Sequence, residues 1–169
     1  MRIIGIDCGL NITGYGVIES KGDEPVLVEA GVIRTRASLP LEKRVQTIHD
    51  ELCSILDEFK PDIMVVEDLY SHYEHPKTAI IMGHARGVVF LSAAKSQIPV
   101  VSYGATRIKK ALTGSGRAAK PQVEATVRSI LNMKSEIKPF DVSDALACAI
   151  THARVVDGKP DKKGTVPTG

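Results

Sequence analysis

Hydrophobic residues recur along this chain at two spacings, one typical of strands and one typical of helices. Short apolar runs rich in isoleucine and valine, bounded by glycine, proline or polar residues, predict buried strands. Longer segments with apolar residues every three or four positions predict helices with one buried face. The predicted strands are 2–7, 14–20, 25–35, 62–67 and 99–103, and the predicted helices are 41–59, 78–97, 105–113, 121–133 and 141–156.

The order of these elements predicts the fold class. The first three strands follow one another with turn signals between them, as in a meander. Helices then alternate with two further strands, and the run at 62–67 is almost fully apolar, as expected of a central strand buried on both faces. We therefore expect one α/β domain over residues 1–156, built on a mixed five-stranded sheet flanked by helices. Residues 157–169, rich in Gly, Pro and Lys, are expected to be a flexible C-terminal tail.

Composition and charge exclude several classes of protein. The 22 Lys and Arg residues nearly balance the 20 Asp and Glu residues, so any nucleic-acid-binding surface must be a local patch. No apolar run is long enough for a membrane span, and the N-terminus lacks the zones of a secretory signal. The three cysteines have no CxxC spacing, which argues against a disulfide framework or a zinc site. We expect a cytoplasmic protein without a membrane partner.

Four carboxylates are the candidate reactive groups. Asp7 ends the first predicted strand and Glu67 ends the fourth, while Asp141 and Asp144 lie three residues apart near the start of the last helix, on one helical face. These side chains could converge at one edge of the sheet. Carboxylate oxygens suit Mg²⁺ or Mn²⁺. Two such ions about 4 Å apart are the usual device for in-line attack on a phosphodiester.

Each carboxylate also has a purely structural interpretation. Asp141 could be a helix N-cap, and Asp144 could complement the helix dipole. Asp7 could form the turn before Gly9. Glu67 fits a structural role least, because it follows the buried run Ile-Met-Val-Val, where an unpaired charge is costly. Period-two alternation directs the neighbouring Asp68 to the opposite face, so we treat it as solvated or capping.

Three further segments have a composition suited to DNA or to a second subunit. Residues 105–134 carry seven basic side chains against Glu124 alone and bracket a Gly-Ser-Gly loop, an arrangement suited to phosphates, although a solvated helix face is common. The loop 69–77 mixes tyrosines, histidines and lysine, and its rings could stack on an unpaired base. The apolar helix 78–97, with Gly83 and Gly87 four residues apart, is either a core helix or one covered by another subunit.

Several motifs together give a family resemblance. IIGIDCGLNITGYGVI, VVEDLY, GHARGVV, ATRIKKALTGSGRAAKPQV and DVSDALACAITHA occur in this order over roughly residues 1–156. In combination they resemble the RuvC-type Holliday-junction resolvases. The resemblance implies an RNase H-like fold, a homodimer, and Mg²⁺-dependent cleavage of four-way DNA junctions by paired symmetric nicks that leave 5′-phosphate and 3′-hydroxyl ends. It also implies a role in recombination and repair beside a branch-migration helicase complex of the RuvA and RuvB type.

The resemblance also assigns roles to individual positions. It implies that Asp7, Glu67, Asp141 and Asp144 are the catalytic, metal-binding carboxylates, holding two Mg²⁺ for which Mn²⁺ would substitute. Tyr70 takes the place of an aromatic residue that stacks near the junction centre, and Lys109 and Lys120 match basic positions near the scissile phosphate. To these DNA-binding residues we add Lys110 and Arg117 from the basic stretch. The dimer interface is expected at Gly83, His84, Arg86 and Gly87.

The chain departs from the family pattern at three positions, and three alternative interpretations stay open. Cys8 stands where the family usually has proline, and Asp68 and Tyr70 where it usually has Gln and Phe; none of these removes a required carboxylate. A sugar or acetate kinase-like fold also begins with a strand and an Asp-x-Gly turn, but it needs two lobes. A non-catalytic junction-binding module and a related nuclease acting on RNA would share the fold.

Overall fold

The computed structural model describes residues 1–21, 24–68, 76–156 and 158, and the strands and helices predicted from the sequence are all present in these ranges. The boundaries differ from the predicted ones by a few residues, because capping and fraying at element ends leave little trace in a hydrophobic pattern. The strands are β1 (Arg2–Asp7), β2 (Ile12–Lys21), β3 (Glu24–Arg34), β4 (Ile63–Glu67) and β5 (Val100–Tyr103). The helices are α1 (Leu41–Phe59), α2 (Pro76–Lys95), α3 (Ala105–Thr113), α4 (Lys120–Ile130) and α5 (Phe140–Val156).

The five strands form one mixed sheet in the order β3-β2-β1-β4-β5. β1, β2 and β3 pair antiparallel, as a meander requires, whereas β1 pairs parallel with β4, and β4 pairs parallel with β5. Because β1 and β4 run in the same direction, their carboxyl ends lie at the same edge of the sheet. Asp7 and Glu67 are the last residues of these two strands, so the topology alone places them near each other.

Helices cover both faces of the sheet, and the side-chain period of two assigns each strand residue to one layer. The core between the sheet and α1 and α2 contains Ile4, Ile6, Met64 and Val66. The core on the opposite face, under α3, α4 and α5, contains Ile3 and Val65 instead. Asp7 is in phase with Ile3, and Glu67 is in phase with Val65. Both carboxylates therefore belong to the layer of α5.

Close contact between α5 and the sheet depends on glycine in two strands. A Cβ atom added at Gly5 would overlap the backbone carbonyl oxygen of Ala145, and one added at Gly14 would overlap that of Asp141. Only residues without side chains allow the helix to approach so near. The first turns of α5 thus lie directly over β1 and β2, which places Asp141 and Asp144 beside the end of β1.

The expected tail at 157–169 lies, apart from residue 158, outside the described residues, so the boundary at 156 stays a prediction. Of the helices in the described part of the chain, none combines the length and the apolar character needed to cross a bilayer.

Candidate active site

All four predicted carboxylates line a single cleft at the carboxyl edge of the sheet. The cleft has a volume of about 670 Å³ and is bounded by the turn after β1, the start of α2, and the helices α3, α4 and α5. Asp7, Glu67, Asp141 and Asp144 contribute to its wall, and so do Lys109 and Lys120. α5 begins at Phe140, so Asp141 lies inside the first helical turn rather than at the N-cap position. The expected convergence of strand ends and helix face is therefore observed.

Asp7 experiences the strongest electrostatic stress in the cleft. Burial, followed by the negative charges of Asp144, Glu67 and Asp141, raises the pKa of its carboxyl group from 3.8 to about 7. Lys120 opposes this shift only in part. The ionised form of Asp7 is therefore unfavourable in the folded chain unless additional positive charge enters the cleft.

Glu67 is under the same stress to a smaller degree. Burial raises its pKa above the usual value, and the charge of Asp144 adds to the shift, while Lys120 and Lys109 lower it. Perturbed titration in a cleft is typical of a functional site, where groups are arranged for charge transfer or ligand binding. A bound cation would therefore stabilise the ionised forms of both Asp7 and Glu67.

Lys120 supplies part of the missing positive charge. Its Nζ donates a hydrogen bond of 2.6 Å to Asp144 Oδ2. Burial by itself lowers the pKa of Lys120, but the hydrogen bond to Asp144 and the charges of Asp144, Asp7 and Asp141 outweigh it, so the pKa lies above its usual value. The four carboxylates of the cleft wall outnumber its three basic residues, so the cleft keeps an excess of negative charge.

The donor set of the cleft fits a hard divalent cation. Four carboxylates supply oxygen ligands of the kind that Mg²⁺ and Mn²⁺ prefer, and the repulsion that raises the pKa of Asp7 is relieved when a cation binds. As the side chains stand, no three His, Cys, Asp or Glu groups among the described residues are arranged to enclose one ion. Asp144 is instead paired through its Oδ2 with Lys120.

The predicted DNA-binding residues have different positions relative to the cleft. Lys109 and Lys120 line it, at the side formed by α3 and α4. Lys110 and Arg117 do not contribute to its wall; Lys110 is partly buried near the end of α3, and Arg117 is exposed in the loop before α4. Tyr70 lies outside the described residues. The basic stretch therefore divides into residues inside the cleft and residues beside it.

The residues expected at a dimer interface lie on α2 but do not share one orientation. Gly83, His84 and Gly87 are exposed, and a Cβ atom at either glycine would meet nothing within 4 Å. Arg86 is directed to the sheet, where its guanidinium binds the end of β4. The exposed part of α2 also carries four large apolar side chains, namely Ile80, Ile81, Phe90 and Leu91.

Arg44 and Asn11 are cleft residues that the sequence analysis did not identify. Arg44 Nη2 donates to Asn11 Oδ1, and Arg44 Nε donates to Thr35 Oγ1 at 3.0 Å. Thr35 Oγ1 in turn donates to the carbonyl oxygen of Leu10, which fixes the turn after Asp7. Arg44 belongs to a helix whose pattern places it among solvated positions, so no sequence signal distinguishes it from its neighbours.

Cys8 is next to Asp7 but is not a reactive group. Burial, followed by the negative charge of Asp7, raises the pKa of its thiol to about 12. A thiol with such a pKa carries almost no thiolate near neutral pH and is a poor nucleophile. Cys148 is fully buried, and its pKa is likewise well above the usual value. Both cysteines are small residues of the buried core.

Comparisons with known proteins agree with this architecture. The model of the family crossover junction endodeoxyribonuclease RuvC matches residues 3–152. A crossover junction endodeoxyribonuclease RuvC from Rhodopirellula baltica is 48% identical over 148 residues, covering 88% of this chain and 83% of that protein. One from Syntrophotalea carbinolica is 45% identical over 153 residues, covering 90% of this chain and 94% of that protein.

Solved structures extend the likeness to the fold. The structure of Thermus thermophilus RuvC in complex with Holliday junction substrate has a TM-score of 0.88 at 35% identity, covering 94% of this chain and 96% of that one. The yeast mitochondrial Holliday junction resolvase, at 14% identity and a TM-score of 0.63, covers 90% of this chain and 77% of its own and shares the fold. The expected RNase H-like mixed five-stranded sheet is confirmed. The chain belongs to the RuvC family of crossover junction endodeoxyribonucleases.

Proposed function

We propose that this protein is a structure-selective endonuclease that resolves four-way DNA junctions by paired symmetric nicks. The observation that carries the proposal is the cleft in which Asp7, Glu67, Asp141 and Asp144 meet Lys109 and Lys120, in a chain of the RuvC family. Carboxylates gathered beside lysines suit a phosphodiester, because the acidic groups bind cations and the basic groups bind the phosphate.

RuvC nucleases depend on a divalent metal ion, and we assign it to the four carboxylates of the cleft. We infer that two Mg²⁺ bind there and that Mn²⁺ substitutes. Bound ions would lower the pKa of an attacking water and stabilise the departing 3′ oxygen. The chain contributes a set of oxygen ligands, fixed by two strand ends and one helix, whose mutual repulsion disappears on loading.

Lys109 and Lys120 act on the phosphate in this proposal. Both lysines line the cleft, and the Lys120 side chain is 59% exposed, so it can turn from Asp144 to a phosphate oxygen. There it would offset the negative charge that develops during attack. Lys110 and Arg117, outside the cleft wall, are suited to DNA backbone contacts farther from the scissile bond. Tyr70 is proposed to stack on a base near the junction centre.

A homodimer supplies the two active sites that symmetric nicking requires. α2 is the proposed interface, because Ile80, Ile81, Phe90 and Leu91 expose between 37% and 63% of their surface there. Four exposed apolar side chains on one helix are typical of a surface covered by a partner. Gly83 and Gly87 would let a second helix approach closely.

Two further expectations rest on the resemblance alone. A branch-migration helicase complex of the RuvA and RuvB type is the expected partner, and the cytoplasm is the expected location. A pull-down with purified helicase components on a synthetic junction tests the first of these. Retention of the helicase only when both junction and nuclease are present is the expected result.

A nicking assay tests the proposed function directly. The purified protein is incubated with Mg²⁺ and either a synthetic four-way junction or a linear duplex of the same sequence. Symmetric paired nicks on the junction alone, with ends that a ligase seals, are expected. Tight junction binding without nicks in both Mg²⁺ and Mn²⁺ would instead favour a non-catalytic junction-binding module.

A further inference from the structure

Arg86 of α2 donates three hydrogen bonds to residues at the end of the sheet. Its Nη1 donates to the carbonyl oxygen of Glu67, and its Nη2 donates to Asp68 Oδ1 at 3.3 Å and to Ser102 Oγ at 3.0 Å. The guanidinium also lies over the ring of Phe90, 4.6 Å from its centroid. Only 16% of the Arg86 side chain is exposed. The guanidinium group of Arg86 therefore connects α2 to the end of β4 and to β5.

The contact with Glu67 falls just beyond the ladder between β4 and β1, although on its other side Glu67 still pairs with Tyr103 of β5. The register between β1 and β4 ends at the pair Ile6 and Val66, so the Glu67 carbonyl lies one residue beyond that ladder. Arg86 supplies a donor at this point, from the face of the sheet opposite the Glu67 carboxylate. Because successive residues of a strand point to opposite faces, holding the backbone of Glu67 and the side chain of Asp68 fixes the direction of the Glu67 carboxylate.

We propose that Arg86 is a positioning residue that holds the Glu67 carboxylate in the orientation needed to bind a divalent cation. The inference rests on the proposed function, since it gives Glu67 the role of metal ligand. Arg86 donates to the backbone carbonyl oxygen of Glu67, and it acts on the carboxylate through that backbone contact. Partners of this kind, one step removed from a metal ligand, typically change metal affinity or activity by about 10- to 100-fold when they are removed.

The same contacts link the exposed face of α2 to the cleft. Gly83, His84 and Gly87, which lie one to three residues from Arg86, are exposed, whereas the Arg86 side chain passes inward. A helix that packs on a second subunit through its outer face would thus have its inner face bonded to the backbone of a cleft residue, Glu67. A positioning residue and an interface residue can be told apart by experiment. Loss of the first should weaken metal binding, whereas loss of the second should change the oligomeric state.

The test compares Arg86→Gln and Arg86→Lys with Arg36→Gln, which removes the same charge from an exposed arginine in the segment between β3 and α1. Mn²⁺ binding to the DNA-free protein is measured by titration calorimetry, and the oligomeric state by sedimentation velocity. We expect Arg86→Gln to raise the Kd for Mn²⁺ about 10-fold or more while the oligomeric state stays that of the wild type. Arg86→Lys, which lacks the planar fork, should recover only part of the affinity, and Arg36→Gln should bind Mn²⁺ like the wild type.

A double variant separates positioning from a general loss of structure. In a Glu67→Gln background the carboxylate that Arg86 orients is absent, so adding Arg86→Gln should change the Kd for Mn²⁺ less than 2-fold, the size of an ordinary additivity error. If Arg86→Gln does not fold, Ser102→Ala replaces it. This variant removes one acceptor of the guanidinium without changing a charge, and a smaller rise in the Kd is expected.

Unchanged Mn²⁺ affinity in folded Arg86→Gln, or an equal loss of affinity with and without Glu67, would overturn the proposal. Dissociation to monomers with unchanged Mn²⁺ affinity would also overturn it and would assign Arg86 to the interface. Because calorimetry needs no DNA, these outcomes are independent of junction cleavage. A wild-type protein that binds Mn²⁺ but does not cut junctions contradicts the proposed function and leaves the result for Arg86 intact.

Discussion

Lys120 Nζ lies 2.6 Å from Asp144 Oδ2, and this ion pair connects the first residue of α4 to the start of α5 across the cleft. The Asp144 side chain is 16% exposed, whereas that of Lys120 is 59% exposed. The exposed ammonium group of Lys120 therefore binds the largely buried carboxylate of Asp144. In the proposed mechanism the Asp144 carboxylate is also a ligand of a divalent ion, so Lys120 and that ion compete for it.

Lys120→Met tests this competition. Removing the ammonium should tighten Mn²⁺ binding to the DNA-free protein, because Asp144 no longer has an internal partner. Cleavage of a bound junction should nevertheless slow by about 100-fold, since a charge that stabilises the reacting phosphate is lost. Titration calorimetry and single-turnover cleavage measure the two effects. Lys134→Met, an exposed lysine between α4 and α5, is the control. Equal Mn²⁺ affinity in Lys120→Met and the wild type would contradict the competition.

Asp7→Asn should abolish nicking while junction binding persists. The substitution keeps the shape of the side chain but removes the negative charge that a divalent cation requires. Gel-shift titration with a four-way junction, followed by a nicking assay on the same preparation, checks both parts. Cleavage at the wild-type rate would refute the assignment of Asp7 as a metal ligand.

Gly87→Leu tests the proposed dimer interface. A Cβ atom at Gly87 meets nothing within 4 Å in the monomer, and leucine has a higher helix propensity than glycine, by somewhat less than the roughly 0.8–1 kcal/mol that separates glycine from alanine. The folded monomer should therefore keep or gain thermal stability, while close approach of a second α2 is blocked. Sedimentation velocity should show loss of the dimer, and junctions should be nicked singly rather than in pairs.

The matched control for Gly87→Leu is Ala125→Leu on the exposed side of α4, where no interface is proposed. It adds a similar apolar surface to another helix and should leave the oligomeric state unchanged. A Gly87→Leu protein that stays dimeric and cuts in pairs would move the interface away from this part of α2.

Arg44→Gln should weaken junction binding. Arg44 lines the cleft, and within the described residues its partners are the neutral acceptors Asn11 and Thr35, so its charge is free to attract a phosphate. Loss of one phosphate contact should lower the slope of log Kd against log salt by about 1. Lys43→Gln, in the preceding position and outside the cleft wall, is the control. An unchanged salt dependence in Arg44→Gln would limit Arg44 to bracing the turn after Asp7.

The acidic site could be predicted because its residues occupy positions that topology makes adjacent. Asp7 and Glu67 end apolar runs, and parallel pairing brings such ends to one edge. Asp141 and Asp144 share a helical face by spacing alone. Period-two alternation also predicts that Asp68 lies on the other side of the sheet, and there it contacts Arg86.

Other features depend on tertiary distances that spacing does not encode. The inward path of Arg86 could not be foreseen, because helical spacing gives a residue's face but not the partner its long side chain reaches. Arg44 meets Asn11 only because α1 packs beside the turn after β1. The close fit of α5 on Gly5 and Gly14 was likewise visible only once the helix lay on the sheet.

The raised pKa of Asp7 predicts a pH-dependent gain in stability for Asp7→Asn. A carboxyl group whose pKa rises from 3.8 when unfolded to about 7 when folded stabilises the fold fully below pH 3.8, and this contribution is lost as the pH rises through about 7. In metal-free buffer, Asn should therefore exceed Asp in Tm by only a little at pH 4 and by several degrees at pH 8. Thermal unfolding of both proteins in chelator at these two pH values measures the difference.

Because a divalent cation relieves the repulsion around Asp7, added Mg²⁺ at pH 8 should raise the Tm of the wild type more than that of Asp7→Asn. A difference between the variants that is equal at both pH values would remove Asp7 as the source of the electrostatic stress in the cleft.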